Sequence, residues 1–354
     1  MLALLLLAPL ALLALASAAT SDSESESAAS SGWRSGHSGI DRPGPAFLRT
    51  SECAVAECCF DLCHAHERCE SWSVVNGTCS LRDSVPKQVA SRFASSGVKR
   101  AVSGLEPLVY TPFPIGSIRA SGWLRSQLLL TANGQAGHLP EFWVDVMDSV
   151  WIGGTHDHSG AGHERGPYWL NGVVPLAAAL QASGDTYAGV NATMEVDLQS
   201  RVGMWVSYIL EHQLPSGWLG PDDHFGGNGS DYWSGWNVAL SLLQYADANS
   251  HGALEGDRVL AAKSEAAVLA YVQETHRRML VNATASWSQL RWQDWVAIIH
   301  QLMDQAPQGQ EQALWDAAEL TEQQSYDWDA YYHRTGIGSK GALGAVFSPP
   351  ALLL

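Results

Sequence analysis

The stretch WIGGTHDHSGAGHERGPYWLNGVVPLAAAL, residues 151–180, carries the pattern on which the fold prediction depends. Its first half is a loop rich in Gly, His and Ser, and its second half, from Pro167 onward, is mostly apolar. There the apolar residues recur every three or four positions, which indicates a buried helix rather than a strand. Gly184 follows as a C-terminal cap. Because loops tolerate polar groups that a core leaves unsatisfied, we predict a site where this loop enters the helix.

Amphipathic segments with the same helical spacing follow one another from Leu108 onward. Loops rich in Gly, Asp and Asn separate them, and no run of alternating β-branched residues competes with the helical pattern. The predicted helices cover 121–132, 167–182, 195–213, 233–248, 258–280, 291–305 and 310–324. Repeated helix hairpins bury their apolar faces on one another, so this part of the chain is predicted to be mainly α.

The amino-terminal part has a different composition. Residues 2–16 are an unbroken apolar run followed by Ser17-Ala18-Ala19, which predicts a signal peptide over residues 1–19 and a secreted protein. That run is shorter than the roughly 20 residues of a membrane span. Residues 20–50 are rich in Ser, Gly and acidic residues, which predicts a disordered linker. Four N-glycosylation sequons agree with export, at Asn76, Asn191, Asn228 and Asn282.

All six cysteines fall in one short stretch, at Cys53, Cys58, Cys59, Cys63, Cys69 and Cys79. An even number of clustered cysteines in an exported chain predicts disulfides rather than zinc binding, but many pairings are possible. The segment CCFDLCHAHERCESWSVVNGTCSL (58–81) resembles a PAN/apple module, which we place over residues 51–100. The resemblance implies a small α+β module in which Cys59, Cys63 and Cys69 tie a helix to neighbouring strands. It also implies a carbohydrate or protein ligand.

Charge and aromatic content restrict the class of partner. The 354-residue chain has 20 basic and 36 acidic residues, a net charge of −16 that argues against binding nucleic acid or an anionic membrane. It also has 15 Trp but only 7 Phe. Indole faces stack on sugar rings and also fill helix interfaces, so this excess has two interpretations.

Six segments, in order, resemble the first part of the catalytic domain of glycoside hydrolase family 127, the β-L-arabinofuranosidase-like family. They are PFPIGSIRASGWLRSQLLL (112–130), GHLPEFWVDV (137–146), ERGPYWLNGVVPLAAAL (164–180), WVSYILEHQLPSGWLGP (205–221), RWQDWVAIIHQL (291–302) and YDWDAYYHRT (326–335). The resemblance covers residues 108–335 and implies an (α/α)6 toroid with the site in its mouth. Seven predicted helices are too few to close such a ring, so we expect an incomplete toroid. Residues 336–354 do not resemble the family and are predicted to be an unrelated tail.

The resemblance implies a secreted glycosidase acting on plant-type or algal-type glycans, arabinofuranosides or related sugars. In characterised members a cysteine nucleophile is activated by zinc that further cysteines and a glutamate hold. This sequence has no cysteine after Cys79, so we assign it no metal and no cofactor and expect the chain alone to be inactive. At residues 232–237 it has YWSGWN where well-studied members have a Gly-His-Leu motif. This departure indicates a different glycan or different chemistry.

We predict a sugar-binding cleft at the starts of the apolar helices. Its members are Arg165, Tyr168, Trp169, Asn171, Trp233, Trp236 and Asn237. Glu164 is the candidate catalytic carboxylate, because Arg165 could orient it and the following aromatic pair could desolvate it; a structural Glu–Arg ion pair is the alternative. Other loop or helix-start carboxylates, explained equally well as solvated groups or N-caps, are Asp145, Asp148, Asp222, Asp223, Asp231, Asp327 and Asp329.

A metal site and two other functions are alternatives to this prediction. His156, His158 and His163 with Glu164 have the side chains of a zinc site, but their spacing is not the helical His-x-x-x-His pattern. We therefore predict no metal there. The chain could instead be a non-catalytic carbohydrate-binding or adhesive protein, or a structural extracellular glycoprotein.

Overall fold

A computed structural model describes residues 37–99, 105, 110–156, 162–187, 189, 192–221, 232–254, 258–304 and 309–328. In this part of the chain a small antiparallel sheet with three disulfides precedes a larger group of packed helices. The prediction of a mainly α chain with a disulfide-rich α+β module at its amino-terminal side is confirmed at this level.

The sheet module contains five antiparallel strands and one helix. The strands are β1 (His37–Asp41), β2 (Leu48–Thr50), β3 (Ser71–Val75), β4 (Thr78–Arg82) and β5 (Val89–Val98), in the spatial order β1-β5-β3-β4-β2. Helix α1 (Ala56–Ala65) packs on β3, β4 and β5. Strands β3 and β4 are joined by Asn76-Gly77, both at positive φ, which is the backbone of a type I′ hairpin turn.

The six cysteines form three disulfides within this module, and none is free. The pairs are Cys53–Cys58, Cys59–Cys79 and Cys63–Cys69. Disulfide formation was predicted and is confirmed, whereas the pairing was left open. Cys59 ties α1 to β4, as the module resemblance implied, but Cys63 and Cys69 pair with each other. That bond closes the loop between α1 and β3 instead of fastening the helix to a strand.

The linker prediction for residues 20–50 is wrong over its second half. Strands β1 and β2 lie at 37–41 and 48–50, and each pairs with a strand inside the module. Their polar composition misled the prediction, because a strand at a sheet edge buries only part of its surface. Ile40 is nevertheless buried and contributes to a core that lies beyond the predicted boundary. Residues 20–36 lie outside the described part of the chain.

Helices of very different lengths follow the module. They are α2 (Gly122–Asn133), α3 (Gln135–Phe142), α4 (Val144–Met147), α5 (Gly162–Ala182), α6 (Leu198–Glu211), α7 (Trp233–Ser250), α8 (Arg258–Met279), α9 (Ser286–Leu290), α10 (Trp292–Asp304) and α11 (Glu311–Gln324). A 3-10 turn at Val150–Ile152 precedes α5. All seven predicted helices are confirmed, and α5 starts five residues earlier than expected. The short α3, α4 and α9 were missed because their pattern is too brief to show periodicity.

Helix α7 lies at the centre of the helical region, packed against α5, α8 and α10. Its residues are buried on almost every side, as expected of a helix surrounded by others. Gly235 allows α7 and α8 to approach closely, since a Cβ at this position would lie 1.9 Å from Tyr271 Oη. Helix α11 packs on both α8 and α10, and α6 packs on both α5 and α8. These pairwise contacts do not define a closed ring, so the toroid stays a prediction.

A buried polar seam joins the sheet module to α8 and α11. The guanidinium of Arg42, fully buried, lies 2.9 Å from Asp316 Oδ1 and 3.2 Å from Glu319 Oε2. Gln88 donates from Nε2 to the Asp316 carbonyl oxygen at 3.0 Å, and its Oε1 lies 2.8 Å from His276 Nε2. The two regions are therefore docked through charge and hydrogen bonds.

Candidate functional site

The first turns of α5, α7 and α10 meet at one end of the helical region. There they gather a set of side chains that we call the rim cluster: Glu164, Tyr168, Trp233, Trp287, Arg291 and Asp294. Glu164 and Tyr168 are four residues apart on α5 and so share one helix face. Trp233 begins α7, and Arg291 links α9 to α10. The loop-to-helix transition at Glu164 thus contributes a side chain to this cluster.

Hydrogen bonds tie α5 to the start of α7 and to the junction of α9 and α10 at this cluster. Trp233 Nε1 donates to Glu164 Oε2 at 2.6 Å. Arg291 Nη1 donates to Tyr168 Oη at 2.7 Å and lies 3.6 Å from Glu164 Oε2. The carboxylate therefore receives one short hydrogen bond from an indole and faces a guanidinium.

Aromatic rings fix the position of Arg291. Its guanidinium carbon lies 4.5 Å from the ring centroid of Trp233 and 4.5 Å from that of Trp287. Cation–π contact with two rings holds the side chain in place. Tyr168 packs edge-on against Trp233, with ring centroids 6.0 Å apart, and its side chain is 37% exposed. The cluster therefore presents a partly open phenol beside a held cation and a carboxylate.

Asp294 adds a second carboxyl group, in the first turn of α10. Burial raises its pKa to about 6, and the opposing attraction of Arg291 does not cancel that effect. Burial also raises the pKa of the Tyr168 hydroxyl; Arg291 lowers it, and the charges of Glu164 and Asp294 each add to the rise. Both carboxylates therefore act electrostatically on the same phenol.

Arg165 does not orient Glu164, contrary to the sequence expectation. It turns to Asp145, with Arg165 Nη1 2.5 Å from Asp145 Oδ2. Asp145 is almost fully buried, and its other oxygen lies 2.8 Å from His156 Nε2. Successive residues of a helix point about 100° apart, so adjacent positions rarely share a partner. Asp145 is thus a structural anchor for the loop that precedes α5.

Three predicted sugar contacts lie in the core instead. Trp169 is buried and donates from Nε1 to the Ala136 carbonyl at 2.7 Å. Trp236 is fully buried and stacks on Trp295, with centroids 5.4 Å apart. Asn237 is buried one turn beyond Trp233. These three side chains have no face open to a glycan, so we remove them from the site. Of the two interpretations of the tryptophan excess, helix packing accounts for Trp169 and Trp236.

Asn171 and the other predicted carboxylates have separate environments. Asn171 is half-buried on the α5 face that carries Glu164 and Tyr168. Asp148 accepts hydrogen bonds from the hydroxyl and the backbone N–H of Thr155, which lower its pKa. Asp327 is exposed near the end of the described chain. The candidates outside the described residues are Asp222, Asp223, Asp231 and Asp329.

The described residues do not fit the zinc site that the family resemblance implies. All six cysteines are in disulfides, so no thiolate is left to hold the metal or to attack a substrate. Nor does any group of three or more His, Cys, Asp or Glu among the described residues have a geometry suited to a metal ion. The alternative set of histidines is not placed in full, because His158 and the side chain of His163 lie outside the described part.

Two of the four sequons can be located. Asn76 is exposed in the β3–β4 turn, and Asn282 is exposed after α8, so both are open to a glycosylating enzyme. Asn191 and Asn228 lie outside the described residues. Within the described part of the chain, every helix is too short or too polar to cross a bilayer.

No protein-family model, curated protein or solved structure matches this chain. The candidate site therefore depends on side-chain geometry alone.

Three members of the rim cluster were missed by the sequence prediction: Trp287, Arg291 and Asp294. A signal for the last two was present, because RWQDW (291–295) places charged residues beside tryptophans at the start of a helix. The segment ERGPYW (164–169), which was predicted, likewise places charged residues beside aromatic ones near the start of α5. Searching for that shared pattern would have brought both segments together.

Proposed function

We propose that this chain is an extracellular glycoside-hydrolase-like protein that binds a plant-type or algal-type glycan, an arabinofuranoside or a related sugar, at the rim cluster. On this proposal, the likeness to family 127 reflects common descent, residues 51–100 act as a PAN/apple-like module, and the helices belong to an incomplete (α/α)6 toroid. Three disulfides and two exposed sequons support an extracellular setting.

One observation carries the proposal: Glu164 and Tyr168 of α5 converge with Arg291, which lies more than 120 residues later, at the junction of α9 and α10. Sugar recognition needs donors and acceptors for hydroxyl groups and a flat ring for the C–H face. Glu164 supplies acceptors, Arg291 supplies donors, and the partly exposed Tyr168 supplies the ring. The side chains are fixed before the ligand arrives, which lowers the ordering cost of binding.

The competing proposal, a structural glycoprotein with no ligand, explains this convergence less well. Purely structural ion pairs need not lie beside a partly exposed tyrosine. Here the Tyr168 hydroxyl accepts from a guanidinium and its ring is 37% exposed. The non-catalytic carbohydrate-binding alternative shares the same cluster and differs only in chemistry, so the same binding experiment tests both.

The test is affinity electrophoresis and calorimetry of the full chain with arabinan, arabinogalactan and, as a negative control, dextran. We expect retardation by an arabinose-containing polymer. Tyr168→Phe, which removes only the hydroxyl that accepts from Arg291, should weaken binding about fivefold to tenfold, the value of one hydrogen bond. Glu164→Gln, which keeps the shape and removes the charge, should weaken it further.

Tyr187→Phe is the matched control. Tyr187 is exposed beyond the far end of α5, a helix that rises about 27 Å between Glu164 and Ala182, so its hydroxyl should not affect binding. Equal effects of the two Tyr→Phe changes, or absence of binding to every arabinose polymer, would contradict the proposal. Melting curves of each variant separate a lost contact from a lost fold.

A further inference from the structure

We propose that residues 325–328, which we call the junction segment, form a second sugar subsite beside the rim cluster. The ligand is then an oligosaccharide of several units rather than a single sugar, and Tyr326 and Trp328 contact the additional units. This inference rests on the glycan site proposed above and specifies the length of the chain that the site takes.

Three hydrogen bonds fasten the junction segment to the residues that connect α9 to α10. Tyr326 donates from its backbone N–H to the Gln289 carbonyl oxygen at 3.0 Å. The Tyr326 carbonyl oxygen accepts from Trp292 Nε1 at 3.1 Å. Trp328 donates from Nε1 to the Leu290 carbonyl oxygen at 2.9 Å. The segment is therefore held at three points along one short stretch of chain.

That stretch also contains Arg291, the cation of the rim cluster. All three partners of the junction segment lie within two positions of Arg291 in the sequence. Consecutive Cα atoms are about 3.8 Å apart, so the Cα atoms of these partners lie within about 8 Å of that of Arg291. Arg291 in turn donates from Nη1 to Tyr168 Oη at 2.7 Å. One short stretch of chain therefore connects the junction segment to the partly exposed phenol of the rim cluster.

The junction segment presents the kinds of group that bind sugars. Tyr326 is 37% exposed, the same fraction as Tyr168, and Trp328 is half-buried. Their rings pack edge-on with centroids 4.8 Å apart, which orders both rings before a ligand arrives. Asp327, between them, is exposed and supplies carboxylate oxygens as acceptors for hydroxyl groups. Aromatic rings beside a polar group are also what the rim cluster offers to a glycan.

The hydrogen bonds that anchor the segment do not use the Tyr326 ring. Two of them come from the backbone of Tyr326, and the third comes from the Trp328 indole. A strap with a purely structural role needs the indole but does not need an aromatic ring at Tyr326. The ring can therefore be removed while the three hydrogen bonds stay, so recognition can be tested separately from anchoring.

The experiment measures the affinity of the full chain for arabinobiose and for arabinohexaose by calorimetry. Tyr326→Ala should weaken binding of the hexaose about threefold to tenfold, because it removes a ring that stacks on the additional units. Binding of the biose, which the rim cluster holds alone, should not change. Tyr168→Phe should weaken binding of both ligands alike. Tyr187→Ala, exposed beyond the far end of α5, is the matched control and should change neither affinity.

A conservative variant separates the ring from its hydroxyl. Tyr326→Phe keeps the ring and should retain most of the affinity for the hexaose. A loss equal to that of Tyr326→Ala would show that the ring does not stack on sugar, and would overturn the inference. Should Tyr326→Ala fail to fold in a melting curve, Tyr326→Leu keeps apolar bulk without an aromatic face, and the same losses are expected of it.

The remaining outcomes distinguish the subsite from the proposed function. Unchanged hexaose affinity in Tyr326→Ala would overturn the second subsite and leave binding at the rim cluster standing. Equal losses on the biose and the hexaose would show that the ring supports the rim cluster and touches no additional unit, which also overturns the subsite. Absence of binding of either oligosaccharide to the wild-type chain would refute both proposals.

Discussion

The sheet module and the helical region are held together by different means. The module has a small core around Trp72, Val74 and Leu81, and its cysteines supply the remaining buried members. The helical region has a continuous core that extends from α2 to α11 and contains most of the tryptophans. Small modules bury too little apolar surface to fold on that basis alone, so covalent cross-links compensate. Larger regions can depend on packing.

The seam between them shows a third arrangement. Arg42 is as buried as the core tryptophans but is surrounded by Asp316 and Glu319. A buried ion pair contributes little to stability compared with apolar packing, yet removing one partner is costly. The buried ion pair therefore fixes where the module docks but adds little to the free energy of docking. Substitutions that remove a packed core residue, a seam residue or a disulfide one at a time test how much each contributes to stability.

The largest effect is expected in the helical core. Trp236→Ala removes a fully buried indole stacked on Trp295 and should lower the free energy of unfolding by about 3–5 kcal/mol. Trp123→Ala is the matched control, because Trp123 is 77% exposed on α2 and should change stability by less than about 0.5 kcal/mol. Denaturant titration followed by circular dichroism measures both. Similar losses for the two variants would show that the aromatic core does not hold this region.

Docking is tested by Arg42→Met. This change leaves Asp316 and Glu319 facing an apolar side chain and should cost about 3–5 kcal/mol, the value for breaking a buried ion pair from one side. The control is Arg68→Met, whose partner Asp83 lies 2.9 Å away on the surface and whose loss should cost at most about 1 kcal/mol. We expect the thermal transition of Arg42→Met to split in two as the module melts separately. A single transition at the wild-type temperature would contradict the proposed role of the seam.

Cross-linking should contribute somewhat less, and by an amount that depends on the loop it closes. Replacing Cys59 and Cys79 by Ala opens a loop with a sequence separation of 20 and should cost about 3 kcal/mol. Replacing Cys53 and Cys58, five apart, should cost about 1 kcal/mol less. Hydrogen exchange of the β3 and β4 amides measures both, while amides of α7 should keep their protection. Faster exchange in α7 would show that the two regions do not unfold independently.

The sequence analysis predicted the features that depend on hydrophobic periodicity and on cysteine spacing. Seven helices and the disulfide module were located because each has a repeated local signal. The strands at 37–41 and 48–50 were missed because their stability comes from partners farther along the chain. Local polarity gave no indication of that pairing. The sequence also does not reveal which helices pack against each other. Trp169 and Trp236 were therefore predicted at the site, whereas they lie in the core.

The candidate site was predicted in part for the same reason. Glu164 and Tyr168 were found because they lie on one helix, where spacing alone places them together. Arg291 and Asp294 are more than 120 positions away in the sequence, and only tertiary packing brings them to the cluster. Arg165 was assigned the wrong partner, because being next to Glu164 in the sequence does not make two side chains point the same way from a helix.

The smallest expected effect is a change in pH dependence that separates two acids of the helical region. The pKa of Asp294 is about 6 in the folded chain and near 4 when unfolded, so the folded state binds more protons between these values. Its contribution to stability is present below about pH 4 and is lost as the pH rises through about 6. Asp294→Asn should therefore raise the melting temperature at pH 7 by a few degrees relative to its effect at pH 4.

The pKa of Asp148 is shifted the other way, because the Thr155 hydroxyl stabilises its charge. Its contribution is present at pH 7 and lost as the pH falls through its lowered folded pKa, so Asp148→Asn should destabilise at pH 7 and have little effect in strong acid. Melting curves of both variants between pH 3 and pH 8 measure the two slopes, and slopes of the same sign would mean that burial does not dominate the titration of Asp294.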